Sequence, residues 1–123
     1  LLTGKTVDGT EILKLETIKE MTKNHLDSSL LPIEILSVGT IRNEDYVNDL
    51  NAYGWGFGFR ILIDLNKANN IGSLGEFGWA GAASTYFLID PKNDLTAVLM
   101  TQVLNGDPII KNDFVKMIYN NLD

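Results

Sequence analysis

The sequence predicts an α+β fold, an antiparallel sheet of about four strands with a C-terminal helix packed on one face. Three observations predict it. The run Trp55 to Asp64 alternates Trp55, Phe57, Phe59, Ile61 and Ile63 with small or polar residues, the period of a strand with one apolar face. The stretch Tyr86 to Gln102 holds two apolar, β-rich runs around Pro91 to Asp94, which reads as a hairpin. The last residues, "DPIIKNDFVKMIYNNL", offer Asp107 as N-cap, Pro108 at the first helical position and Ile110, Phe114, Met117, Ile118 and Leu122 along one side.

The remaining elements follow in chain order. "LLTG" resembles the tail of a helix with Gly4 at its C-terminal end, so the chain is read as a segment of a longer domain. Asp8-Gly9 is a turn signal. Leu15, Ile18, Met21 and Leu26 space a helix of about two turns. Residues 27–53 lose periodicity and read as a long loop. The chain therefore divides into a helix-and-loop region, 1–54, and a sheet with its terminal helix, 55–123. The glycines between Trp55 and Phe59 leave one strand face bare, which invites another element to lie against it.

Composition narrows the function classes. The 123 residues suit one modest domain, and a formal net charge of −6 without a Lys/Arg cluster argues against nucleic acid or an anionic membrane surface as partner. No apolar run is long enough for a membrane span. One histidine and no cysteine argue against a metal site and remove thiolate chemistry; no cofactor is implied. His25 is read as a structural group closing the first helix, and not as the base of a triad.

The stretch Gly75 to Thr85, "GEFGWAGAAST", sets small residues beside one large ring. Small side chains admit close approach to the backbone, which suits either a site or a tight crossing. Taken with "LLTG", "YGWGFG", the run "STYFLIDPKNDLTAVLMTQ" and the closing helix, this stretch resembles the C-terminal part of serine hydrolases related to class C β-lactamases, family VIII esterases and penicillin-binding proteins. The resemblance spans nearly the whole chain and is looser between Asp27 and Tyr53. It implies a large penicillin-binding-protein-like fold, to which this segment contributes part of the central sheet and the last helix.

That family builds its site from a Ser-x-x-Lys nucleophile and base, a Tyr-x-Asn loop and a Lys-Thr-Gly-like triplet on a strand. A serine hydroxyl needs a neighbouring base, and the tetrahedral oxyanion needs positioned N–H donors. By resemblance, Trp79, Ala80 and Gly81 stand at the third motif in its Trp-Gly-Gly form, the backbone N–H of Ala82 is an oxyanion donor, and Gln102 faces the cleft. Ala80 and Ser84 replace glycines, and no cation stands where β-lactamases keep lysine. Ester or amide substrates fit this pattern better than a penicillin carboxylate.

None of Ser28, Ser29, Ser37, Ser73 and Ser84 is followed three residues later by lysine. The expected function is therefore a hydrolase segment that supplies the oxyanion side and is inactive alone. Tyr46-Val47-Asn48 matches the second motif, but the family places that loop upstream of "LLTG", and the match is read as coincidence. A single helix cannot cover both faces of the sheet. At about 25 cal/mol per Å², several hundred Å² left wet forgoes on the order of 10 kcal/mol. The expected partner is the N-terminal half of the hydrolase domain or, without it, a second copy forming a two-fold dimer through the sheet face opposite the helix. The alternative is a non-catalytic module that binds a small ligand or sugar on an aromatic surface of Trp55, Trp79 and Tyr86.

Overall fold

The computed structural model describes residues 1–30, 52–104 and 108–122. The fold is α+β. Helix α1 spans Leu15–Met21 and is followed by a short 3-10 turn, Ser28–Leu30. Strands β1 (Tyr53–Trp55), β2 (Arg60–Leu62), β3 (Phe77–Ala80), β4 (Tyr86–Asp90) and β5 (Leu95–Leu99) precede helix α2, Pro108–Tyr119. The sheet is an antiparallel meander in the order β1-β2-β3-β4-β5. It has five strands rather than about four. The Tyr46-Val47-Asn48 match and the Asp107 cap lie outside the described residues.

The extra strand comes from the run Trp55 to Asp64, which folds back on itself. The Gly56 N–H donates to the Phe59 carbonyl at 2.9 Å, and Gly58 turns the chain at φ +87°. Trp55 thereby pairs with Arg60, and Tyr53 with Leu62. Two of the five residues counted as one apolar face, Phe57 and Phe59, belong to this turn, and Phe57 stacks on the His25 ring at 4.4 Å. A period of two is satisfied equally by one long strand and by two short ones joined at a glycine. The sheet accordingly begins at Tyr53, inside the region assigned to loop.

The bare face expected of the glycines is filled by the end of α1. Trp55 N donates to Asn24 Oδ1 at 2.9 Å, His25 N to the Trp55 carbonyl at 2.8 Å, and Phe57 N to the Met21 carbonyl at 2.9 Å. These bonds cover the outer edge of β1, which would otherwise present unpaired backbone groups. The approach is close. A Cβ at Gly54 would sit 2.3 Å from Asn24 Oδ1, and one at Gly56 only 2.1 Å from the Met21 carbonyl oxygen. His25 Nε2–H donates to the Glu20 carbonyl at 2.8 Å, closing the helix end as its sequence position suggests. Residues 1–4 are not helical: Gly4 adopts φ +70°, and its carbonyl accepts from Ile12 and Leu13.

Register assigns the two faces. Tyr86 and Leu88 of β4 face α2, packing with Val115, Phe114 and Ile118. Ile61, Phe77 and Ile89 share the opposite face with Leu2, Phe59, Ile63 and Phe87. The β4–β5 hairpin forms where expected, because the buried Asp90 carboxylate accepts the Lys92 and Asn93 N–H groups at 3.0 and 3.3 Å and so folds the turn locally. The stripe on α2 is displaced from the expected one. Val115 is buried, whereas Ile110, Met117 and Leu122 are exposed. Helix α2 rolls because it turns Tyr119 toward buried carboxylates, described below.

Gly56→Ala should destabilise the chain by about 1–3 kcal/mol, since the added methyl overlaps rigid backbone. Urea unfolding checks this. A change within a few tenths of a kcal/mol would show that α1 does not clamp β1.

Candidate functional site

β2 stops pairing with β3 at Arg60↔Gly78, so Trp79 and Ala80 pair with β4 alone, opposite Phe87 and Tyr86. Gly81 N donates to the Thr85 carbonyl at 2.8 Å, Ser84 N to the Gly81 carbonyl at 3.0 Å, and the loop 81–85 closes the β3–β4 hairpin. Ser84 adopts φ +61°, a conformation that glycine reaches without cost. Here the position holds serine, and its hydroxyl donates to the Val103 carbonyl at 2.7 Å. Thr101 Oγ1 and Val103 N both donate to the Ala83 carbonyl, at 2.8 and 3.2 Å. These bonds anchor the loop beside Gln102, which is exposed.

Trp79, Ala80, Gly81 and Ala82 are exposed together at this end of the sheet. The Ala82 N–H has no hydrogen-bond partner among the described residues. Trp79 is 37% exposed and meets the Trp55 ring edge to face, centroids 4.7 Å apart. Tyr86 does not join this pair. It is 3% exposed, on the α2 face, with its hydroxyl accepting from Arg60 Nη2 at 2.6 Å. The three-ring aromatic surface is thus not assembled.

Neither Ser29 nor Ser73 has a lysine or histidine as hydroxyl partner among the described residues. Ser73 is buried with its Oγ unpartnered among the described residues, Ser84 Oγ donates to a carbonyl, and Ser29 Oγ donates to Asp27 at 2.6 Å. Nor do the described residues gather a group of three metal-ligating side chains. No described helix is long and apolar enough to cross a membrane. The chain matches no family model and no curated protein.

The face bearing Trp79 is the less covered of the two. Trp79, Phe87 and Val98 are register partners across β3, β4 and β5, on the side away from α2. Val98 is 56% exposed and Met100, two residues on, is 78% exposed. These residues form an exposed apolar row on the side of the sheet away from α2.

Behind it, on the α2 face, lies a polar cluster that sequence reasoning missed. The Arg60 guanidinium stacks 4.0 Å over the Tyr53 ring and bonds the Tyr86 hydroxyl. Burial pushes the Tyr86 phenol up to about 12. The Tyr119 hydroxyl contacts Glu76 Oε2 and, at 3.1 Å, Asp90 Oδ2, while Asn93 Nδ2 donates to the same Asp90 oxygen at 2.6 Å. One phenol has one proton, so it can donate to only one carboxylate. Glu76 and Asp90 therefore compete for the single Tyr119 proton. Desolvation raises the Glu76 carboxyl above its ordinary range, opposed by the Tyr119 hydrogen bond and by Arg60. Glu76 and Arg60 stand at ordinary strand and loop positions, where a charged side chain signals surface; only the flanking apolar runs hint at burial.

A carboxyl whose folded pKa is raised stabilises the fold fully below its unfolded value, near 4.5, and that contribution is lost as pH rises through the folded value. The Glu76→Gln variant keeps a neutral donor and acceptor. Stability of the parent chain relative to Glu76→Gln should therefore fall as pH rises from about 4.5 toward neutrality. Paired urea titrations across that range check it, and parallel pH profiles would show that Glu76 holds no proton in the fold.

Proposed function

We propose that the chain is the C-terminal segment of a β-lactamase-related serine hydrolase, acting on an ester, amide or β-lactam by acyl transfer. It supplies the oxyanion-side strand and is inactive alone. The observation that carries this reading is the free end of β3: Ala80 to Ala82 extend past β2, exposed, with the Ala82 N–H unpaired among the described residues.

An acyl transfer at this edge needs two contributions. The serine oxygen of a Ser-x-x-Lys motif, in the half that precedes this segment, attacks the substrate carbonyl carbon and gives its proton to the neighbouring base. The carbonyl electron pair moves onto oxygen, and the Ala82 N–H donates to that oxyanion. Collapse re-forms the carbonyl and expels the leaving group. Trp79 and Gln102 flank the position and bound the substrate, while Ala80 and Gly81 let it reach main chain. With no lysine at the third motif, selectivity favours uncharged esters or amides.

The apolar strip Trp79–Phe87–Val98 supports the same reading, since it adjoins the loop and is the surface that the upstream half would cover. Without that half, a second copy packs there as a two-fold dimer.

In the hydrolase that contains this segment, a fluorophosphonate should label a serine outside residues 1–123, and Ala82→Pro, which removes the donor, should lower kcat about 10²–10³-fold. Peptide mapping by mass spectrometry and steady-state kinetics read these outcomes. A stoichiometric adduct on any of the five serines of this chain would overturn the proposal.

A further inference from the structure

The two edges of the sheet differ. At β1 the segment Met21 to His25 supplies hydrogen bonds that seal the outer edge, whereas among the described residues nothing pairs with the outer edge of β5. An open edge presents a row of backbone N–H and C=O groups to any other strand, and proteins guard such edges with charges, proline or bulges. β5 carries none of these guards. Leu95 to Val103 contain no charged residue and no proline, and the ladder with β4 runs unbroken from Tyr86↔Leu99 to Asp90↔Leu95. The chain has a net charge of −6, so copies repel where acidic surfaces meet, and this edge avoids that cost.

The strand is also close to a palindrome. Leu95-Thr96-Ala97-Val98-Leu99 reads alike in both directions: leucine at each end, then the near-isosteric β-branched pair Thr96 and Val98, and alanine in the middle. In an antiparallel pair with a two-fold axis at Ala97, Leu95 stands opposite Leu99 of the second copy, Thr96 opposite its Val98, and Ala97 opposite its Ala97. The smallest side chain thus sits at the axis, where identical residues meet, and β-branched groups face each other on a pleated surface that suits them. Both faces gain cover. Leu95, Ala97 and Leu99 are half-buried on the α2 side around Tyr86, Leu88 and Val115, while Thr96 and Val98 are exposed on the other. Pairing extends the row Trp79, Phe87 and Val98 onto Thr96 and Ile89 of the second copy.

We propose that β5 is a dimerisation edge: the β5 strand of a second copy pairs with it antiparallel about a two-fold axis at Ala97 and joins two five-stranded sheets into one. A foreign extended peptide would make the backbone hydrogen bonds but would lack this match of side chains. The inference uses the edge of the sheet and not the face beside the β3–β4 loop, so it is independent of the hydrolase reading.

Because the chain has no cysteine, a single introduced one can bridge only to another copy. Directly opposed residues of paired strands have Cα atoms about 4.5–5.5 Å apart, within reach of a disulfide, and diagonal ones about 7–8 Å apart, beyond it. Under mild oxidation Ala97→Cys should therefore give a disulfide-linked dimer, whereas Thr96→Cys and Val98→Cys should do so only when the two variants are mixed. In the unmodified chain, light scattering behind size exclusion should show a monomer–dimer equilibrium, and amide hydrogen exchange along β5 should slow as concentration rises. Thr96→Lys, which places a charge on the edge, should raise the dimer dissociation constant about tenfold. A monomer at every concentration, or Val98→Cys chains that bridge to themselves as face-to-face packing would allow, would overturn the proposal. So would β5 protection that is independent of concentration, since another segment would then already lie along the edge.

Discussion

The contact of the Tyr119 hydroxyl with Glu76 and Asp90 organises the rest of the fold. It joins the last turn of α2 to the residue that immediately precedes β3 and the residue that closes β4. Two buried carboxylates beside each other are costly unless a donor stands between them, and the Tyr119 hydroxyl supplies it. The helix roll follows from this geometry. Turning Tyr119 inward brings Val115, Phe114 and Ile118 onto Leu88 and Tyr86, and carries Lys111 over Tyr86 beside Arg60. It also leaves Ile110 and Met117 exposed. One polar contact thus decides which apolar residues of α2 are core.

With α2 committed to one face, the other depends on what remains. Leu2, Phe59 and Ile63 cover its β2 end, and the segment Met21 to His25 seals the edge of β1. Nothing described reaches Val98 or Met100 at the β5 end, and the β3–β4 loop projects next to them. Coverage and exposed backbone therefore change together along the sheet: the end with the free Ala82 N–H is also the end with wet apolar surface.

Much of the fold was legible in the sequence. The β4–β5 hairpin was, because Asp90 to Asp94 specify a turn by local chemistry that needs no tertiary context. The α2 helix was legible for the same reason, through Pro108, although its buried side was not, since periodicity cannot weigh a tyrosine drawn to carboxylates against an exposed methionine. The β1–β2 turn was hidden by glycines and phenylalanines that keep the alternation of a strand through a reversal. At the candidate site, Trp79 to Ala82 and Gln102 were singled out by resemblance, and they do gather at one end of the sheet. Arg60, Glu76 and Lys111 were passed over because a charged residue in a short strand or amphipathic helix ordinarily meets water.

The central claim is that the sheet face opposite α2 is a surface built to be covered, and the methionines report on it directly. Met100 lies at its exposed end, and Met117 is comparably open on the outer side of α2. Both should be oxidised by peroxide in the dilute monomeric chain. When the chain is associated with the upstream half that the proposed function assigns to it, or self-associated at high concentration, Met100 should become protected while Met117 stays reactive, as read by peptide mass spectrometry. Undiminished oxidation of Met100 in the associated protein, or protection of Met117 in its place, would contradict the claim.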